Sequence, residues 1–198
     1  MARPSIKEKR TEEILQAYER CISLYGVEGA TLQKIAEEAK IARPLLRHNI
    51  GNRDDLLQMA VKRFIHRSEQ AMQEAYAVIP KDCRGEDFVY SLFYSTPSNA
   101  QHSDVMIAAA LIYAAQTDPN IKKEMQRWLS TFIEGFTNQL QRIYPRADIE
   151  HIQNVTAGIV GIYFNVESLA PLGTNKSLRD QSYQSALYLL TALKNQKD

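Results

Sequence analysis

Hydrogen-bonding side chains are concentrated in one short stretch of the chain, residues 43–53. It contains Arg43, Arg47, His48, Asn49 and Arg53. A guanidinium group can make two parallel hydrogen bonds to O6 and N7 of guanine, and a carboxamide can do the same with adenine. Arg43 and Arg47 are four residues apart, so in a helix they would share one face. This pattern is typical of a helix that contacts the edges of DNA bases, although a merely solvated helix face would look similar.

The residues before this stretch predict the helix that would support it. Thr31 is a good N-cap residue, because its hydroxyl can accept a hydrogen bond from a backbone N–H of the first turn. The apolar residues that follow keep helical spacing along one face and are Leu32, Ile35, Ala36 and Ala39. Lys40 and Ile41 would then form a turn.

A second, short helix is predicted to begin near Pro44, which suits a first helical turn because its missing N–H costs nothing there. Leu46 and Ile50 would face back toward Ile35, leaving the polar residues outward. Asn52 can cap the next helix. Two helices joined by a tight turn, the second with a polar outer face, form a helix-turn-helix whose second helix enters the major groove of DNA.

Composition and charge agree with a helix-turn-helix that binds nucleic acid. The chain has 198 residues and is 44% hydrophobic, enough for one or two domains with a core. Residues 1–67 contain 13 Lys and Arg against 9 Asp and Glu, whereas the rest contains 11 against 14. A basic N-terminal part suits contact with nucleic acid by one end.

Cysteine usage and hydropathy indicate the compartment. The only cysteines are Cys21 and Cys83, too few for a disulfide framework, and Cys21 lies in an apolar stripe where a buried thiol is the simplest reading. The N-terminus is polar and the longest apolar run is too short to span a bilayer. We therefore expect a cytoplasmic protein that does not contact membranes.

The rest of the chain predicts an all-α fold of about nine helices. Glycine and proline mark the boundaries between helix-like segments, and no segment alternates as a strand would. A long helix over residues 53–78, with Ala71 and Ala75 on its apolar face, would connect a helix-turn-helix domain at 1–52 to a helical-bundle domain for ligand binding and dimerisation at 53–198.

The last two helices, near residues 148–170 and 178–195, have wide apolar faces, and the first contains Gly158 and Gly161. Such helices suggest a four-helix interface between two copies of the chain. Closing the core of a single copy is the alternative. A homodimer is favoured because a single helix-turn-helix usually needs a partner to bind a specific site well.

Residues 25–57 resemble the DNA-binding domain of the tetracycline-repressor (TetR) family. The matching positions are Gly26, Thr31, Ile35, Ala36, Ile41, Leu46, His48, Arg53 and Leu56. The turn position, commonly glycine in that family, is Lys40, which would cost about 1 kcal/mol if the backbone there is left-handed. Arg47, Asn49 and Ile50 stand where aromatic residues are common.

The resemblance implies two kinds of DNA contact. Arg53 matches the family's phosphate-binding lysine, Thr31 at a helix N-terminus can hold a second phosphate, and His48 can bind the backbone. Arg43, Leu45 and Arg47 are the candidates for base edges. The full set of expected DNA contacts is Thr31, Arg43, Pro44, Leu45, Arg47, His48, Asn49 and Arg53.

Family members usually bind a small effector in the body, which respaces the two recognition helices. Aromatic and methionine residues are the candidates here for a mostly apolar pocket: Phe93, Tyr94, Met106, Tyr113, Trp128, Phe132, Phe136, Tyr163 and Phe164. Core packing is the simpler reading for any one of them. Glu134 and Glu167 could meet a cationic group, form an interface pair, or lie at the surface.

The function predicted from the sequence is a homodimeric repressor that binds a palindromic operator and is released by a small effector. The alternative is an all-α ligand carrier or enzyme with an incidental helix-turn-helix. We expect no catalytic residues and no cofactor. We expect no metal either, since His102 and Asp104 have no third candidate ligand nearby.

Overall fold

The computed structural model describes residues 6–94, 99–173 and 176–194. These residues form nine α-helices and one short 3₁₀ helix, and no strand occurs among them. The α-helices are α1 (Ile6–Gly29), α2 (Leu32–Glu38), α3 (Arg43–Ile50), α4 (Arg53–Ala77), α5 (Gly85–Tyr94), α6 (Asn99–Ala114), α7 (Pro119–Ile143), α8 (Ile149–Leu169) and α9 (Lys176–Lys194). The prediction of an all-α fold is confirmed.

The helices form two compact units. The first contains Met1–Ser68 and Asn99–Gln126, and the second contains Glu69–Ser98 and Arg127–Asp198. Both α4 and α7 contribute residues to each unit. Among the helices of the described residues, none is both long and apolar enough to cross a membrane.

The core of the first unit is built on α1, which packs against α2, α3 and α6. Tyr18, Cys21 and Ile22 of α1 are buried, as the apolar stripe predicts. Burial also raises the pKa of the Cys21 thiol, which keeps it in its unreactive protonated form. Gly26 has φ +69°, a left-handed conformation that interrupts the regular helix where the sequence predicts its end.

A buried carboxylate ties three helices of the first unit together. Glu19 of α1 accepts hydrogen bonds from Arg63 and Arg67 of α4, the latter at 2.6 Å. Arg67 also donates to Asp104 of α6. Arg63 adds a 2.6 Å bond to Glu12. Because the charges alternate along this chain of contacts, each buried group has a partner of opposite sign.

The apolar face predicted for the second half of α4 is partly wrong. Ala71 and Ala75 are exposed, whereas Met72 and Tyr76 are half-buried. Both of these side chains lie close to Gly135 of α7, where an added Cβ would be 2.9 Å from the Tyr76 ring. The larger side chains bury more apolar area than alanine can, so the face with Met72 and Tyr76 packs inward.

The second unit has its own apolar core, in which α8 packs on α9 and α9 packs on α5. Fully or nearly fully buried residues include Phe88, Phe136, Ile159 and Leu190. An added Cβ on Gly158 would lie 2.7 Å from Leu189, so this glycine permits close packing of α8 on α9. Gly161, by contrast, is exposed and has nothing within 4 Å of an added Cβ.

Candidate nucleic-acid interface

The first helix of the motif, α2, begins as its sequence predicts. Thr31 is the N-cap residue, and its hydroxyl accepts a hydrogen bond from the Lys34 N–H at 3.3 Å. Ile35 and Ala36 are buried against the rest of the unit. The Thr31 hydroxyl therefore fixes the start of α2 while the residue itself remains exposed at the surface.

The turn after α2 has the hydrogen bonds of a Schellman motif. The Ile41 N–H donates to the Ala36 carbonyl at 3.0 Å, and the Lys40 N–H donates to the Glu37 carbonyl at 3.1 Å. Lys40 itself has φ +54°, the left-handed conformation that usually belongs to glycine. Glycine would adopt this conformation without strain, whereas the Cβ of lysine makes it unfavourable.

The second helix, α3, buries one side and exposes the other. Ala42 is its N-cap residue and Pro44 lies in its first turn. Leu46 and Ile50 are buried and anchor the helix. The exposed residues are Arg43, Pro44, Leu45, Arg47 and His48. This separation of the two faces agrees with the pattern predicted for a helix that inserts into a groove.

Asn49 differs from the other polar residues of α3. It is half-buried, and its side-chain amide donates to the Leu45 carbonyl at 2.7 Å. A carboxamide must direct its amide and its carbonyl together to recognise adenine. In this conformation the amide is directed at the α3 backbone instead.

The connection from α3 to α4 is fixed by a second set of local interactions. Gly51 follows α3 with φ +77°, a positive φ that favours glycine. The Asn52 side chain accepts from the Asp55 N–H at 2.8 Å, and the Asp55 side chain accepts from the Asn52 N–H at 3.2 Å. This reciprocal pair is a capping box, and it confirms Asn52 as the cap of α4.

Arg53, the first residue of α4, has partners within the chain. Its Nη2 donates to the Val27 carbonyl at 2.9 Å, and both terminal nitrogens lie within 3.3 Å of one Glu28 carboxylate oxygen. The predicted phosphate contact is therefore held beside the last residues of α1. Sequence reasoning missed Glu28, because a contact across 25 residues leaves no local signal.

The nine residues predicted for an effector pocket do not form one group. Phe93, Trp128, Phe132, Tyr163 and Phe164 are linked in the second unit by ring contacts with centroid distances of 5.5–6.5 Å. Phe136 contacts Phe88, and Tyr94 contacts Tyr90 and Tyr183, the second of which also contacts Phe93. Met106 and Tyr113 belong to the first unit, where the Tyr113 side chain is 70% exposed.

Charged groups lie beside these rings. Glu167 is buried and forms a 2.6 Å ion pair with Arg179, which also donates to the Phe93 carbonyl at 2.8 Å. Burial raises the pKa of Tyr163 to about 12, so its hydroxyl stays neutral. Glu134 is exposed. The structure thus pairs Glu167 within the chain and places Glu134 at the surface.

The described residues contain no group of three or more His, Cys, Asp or Glu side chains that could hold a metal ion. The Asp104 carboxylate is bound by Arg67. Burial raises the pKa of Asp104, and Arg67 opposes that shift. The side chain of His102 lies outside the described residues.

Known proteins resemble this chain in sequence and in fold. No family model matches it. The HTH-type transcriptional regulator PksA of Bacillus subtilis is 42% identical over 55 residues. That match spans 28% of this chain and about a quarter (27%) of PksA.

Solved structures match over nearly the whole chain. A TetR-family transcriptional regulator from Cytophaga hutchinsonii has a TM-score of 0.79 at 11% identity, covering 99% of this chain and 100% of that one. A TetR-family regulator from Mesorhizobium loti has a TM-score of 0.74 at 12% identity, covering 96% and 98%. The multidrug binding protein EbrR, complexed with imidazole, has a TM-score of 0.61 at 16% identity, covering 94% and 96%. This chain therefore has the all-α fold of the TetR-family transcriptional regulators, as its sequence predicts.

Proposed function

We propose that this chain is a sequence-specific DNA-binding transcriptional regulator whose helix α3 reads bases in the major groove. The observation that carries the proposal is the two-sided character of α3. Leu46 and Ile50 fix the helix to the unit, while Arg43, Leu45 and Arg47 are exposed on its other sides. The similarity of 55 residues of this chain to PksA, a protein described as an HTH-type transcriptional regulator, supports it.

The proposed contacts divide between bases and phosphates. Arg43 and Arg47 would hydrogen-bond guanine, and Leu45 would contact a thymine methyl group. Thr31, Pro44, His48 and Arg53 would lie near the phosphate backbone, where contacts give affinity and register without sequence information. Asn49 would contribute only after its amide leaves the Leu45 carbonyl.

We further propose that the chain acts as a homodimer on a palindromic operator, joined through α8 and α9. From Asn154 onward, the exposed residues of α8 recur at helical spacing and are small or polar: Asn154, Ala157, Gly161, Asn165 and Ser168. On α9, Tyr188 is exposed while Leu190 and Leu193 are buried in the chain's own core. A stripe of small side chains lets another helix approach closely, which supports this face as the site of self-association.

The regulatory part of the proposal is a repressor released by a small, mostly apolar effector. The linked rings of Phe93, Trp128, Phe132, Tyr163 and Phe164 support a site in the second unit. The likeness of the fold to EbrR, a multidrug binding protein, also supports it. The proposal includes a DNA-binding domain at 1–52, a ligand-binding and dimerisation domain at 53–198 and a cytoplasmic location. It includes no catalytic role.

The test is DNA binding by the Arg47→Ala variant. The full chain is titrated onto DNA flanking its own gene and onto unrelated DNA of equal length at matched salt. A lost bidentate contact costs about 1–3 kcal/mol per half-site, so preference for the flanking DNA should fall at least several-fold. Arg146 is exposed in the second unit, so Arg146→Ala removes the same charge and should leave that preference unchanged.

A wild-type chain that binds both DNAs equally would contradict the proposed function. An Arg47→Ala variant that retains full preference would contradict the role of this residue in reading bases.

A further inference from the structure

We propose that Glu28 competes with DNA phosphate for Arg53, and that this carboxylate thereby lowers the affinity of the chain for DNA of any sequence. This inference rests on the proposed function and concerns its regulation. Glu28 is then a residue of the DNA-binding surface that weakens DNA binding.

The Arg53 guanidinium forms an ion pair with the Glu28 carboxylate. Its Nη1 and Nη2 lie 3.3 and 3.2 Å from the same oxygen, Oε2 of Glu28. The Arg53 side chain is 39% exposed and the Glu28 side chain is 84% exposed. The guanidinium face that an approaching phosphate would use is therefore already occupied by an anion at the protein surface.

Arg53 has a second partner besides the Glu28 carboxylate. Its Nη2 also donates to the Val27 carbonyl at 2.9 Å, and this bond does not involve the Glu28 side chain. The carbonyl can orient the guanidinium when the carboxylate is removed. An ion pair between exposed side chains contributes little to folding stability, so the main consequence of the Glu28 charge is electrostatic.

Two other acidic residues of the same unit have partners of their own. Asp55 is used in the capping box with Asn52, and Glu38 is paired with Arg20 at 2.6 Å. Among the ion pairs found between described residues, Glu28–Arg53 is the one that includes a predicted DNA contact. Glu28 is thus the carboxylate that contacts this predicted DNA contact directly.

Two consequences follow for DNA binding. A phosphate that binds Arg53 must displace the Glu28 carboxylate from the guanidinium nitrogens. Arg53 is also partly neutralised before DNA arrives, so it releases fewer counterions from DNA than a free arginine would. Removing the Glu28 charge should therefore strengthen binding and make it more dependent on salt.

The experiment compares Glu28→Gln with wild type on the flanking DNA and on unrelated DNA, over a series of salt concentrations. We expect Glu28→Gln to bind both DNAs about 3- to 10-fold more tightly. The slope of log affinity against log salt should steepen by up to ~0.9 for each protomer bound. Thermal melts of the variants should coincide with wild type.

Glu38→Gln is the matched control, since it removes one exposed carboxylate from an ion pair between helices of the same unit. It should change affinity less than about twofold, because its carboxylate contacts no predicted DNA-binding residue. In an Arg53→Ala background the effect of Glu28→Gln should disappear, because the competition requires the guanidinium.

The inference is overturned if Glu28→Gln binds as wild type does or more weakly, or if its gain persists without Arg53. In either case the wild-type chain still binds the flanking DNA, and the proposed function stands. Absence of sequence preference in the wild type would instead refute the proposed function, and the inference with it.

Discussion

The left-handed turn residue Lys40 gives a stability prediction that can be worked from the structure. Its φ of +54° brings the Cβ close to the following carbonyl oxygen, which costs roughly 1–2 kcal/mol for a residue other than glycine. Lys40→Gly removes that cost but gives the unfolded chain more freedom, which offsets roughly 0.4–1 kcal/mol. We therefore expect Lys40→Gly to raise the free energy of unfolding by about 0.5–1 kcal/mol.

The assay is urea unfolding of the full chain, followed by far-ultraviolet circular dichroism. Lys40→Ala is the matched control, because it removes the ammonium group but retains the Cβ that causes the strain. Alanine should stay within about 0.5 kcal/mol of wild type, which is normal for an exposed position. If glycine were no more stable than alanine, the strain assigned to this turn would be refuted.

Two further predictions concern the proposed partners of the chain. Arg53→Ala should weaken binding to all DNA sequences alike and flatten the salt dependence by less than one charge per protomer, because Glu28 already neutralises part of the guanidinium charge. Titration at several salt concentrations measures both effects, and a selective loss on one sequence would contradict a phosphate contact. Gly161→Arg should convert the proposed dimer to a folded monomer in sedimentation velocity. This exposed position has open space around an added Cβ in the single chain, so arginine should leave the fold intact and block only the close approach of a second copy. Asn138→Arg, at an exposed position of α7, is its control and should remain dimeric, and a Gly161→Arg dimer would exclude this part of α8 from the interface.

The parts of the fold that local chemistry determines could be predicted from the sequence. Thr31 and Asn52 cap helices in the structure as expected, because capping depends on residues within one turn, and Gly26 interrupts α1 where the sequence predicts its end. The amphipathic pattern of α3 likewise predicts which residues are buried, since Leu46 and Ile50 share one face. The sequence also predicts a turn at Lys40, and the positive φ there is the case in which lysine was expected to be strained.

The features that sequence analysis missed depend on residues distant in the chain. Arg63 and Arg67 bracket Glu19 from 44 and 48 residues away, and Arg53 reaches Glu28 across 25. The inward face of α4 turned out to carry Tyr76 because Gly135 of α7 provides room for its ring. Such contacts require the fold to be known first.

The candidate effector residues show the same limit. Residue type alone grouped Tyr113 with Phe93 and Trp128, yet Tyr113 is exposed in the first unit while the other two are buried in the second. Tyr94 contacts Tyr90 and Tyr183, two rings outside the predicted set. Aromatic composition predicts that rings will be buried somewhere, but the helix packing decides which rings meet.

The central claim is that α3 reads a DNA sequence, and selection from a random double-stranded DNA library by the full chain tests it most directly. The account predicts enrichment of an inverted repeat whose half-sites contain guanine, with the preference at one position lost in Arg47→Ala. Recovered DNA with the same sequence composition as the input library, at matched salt, would contradict it.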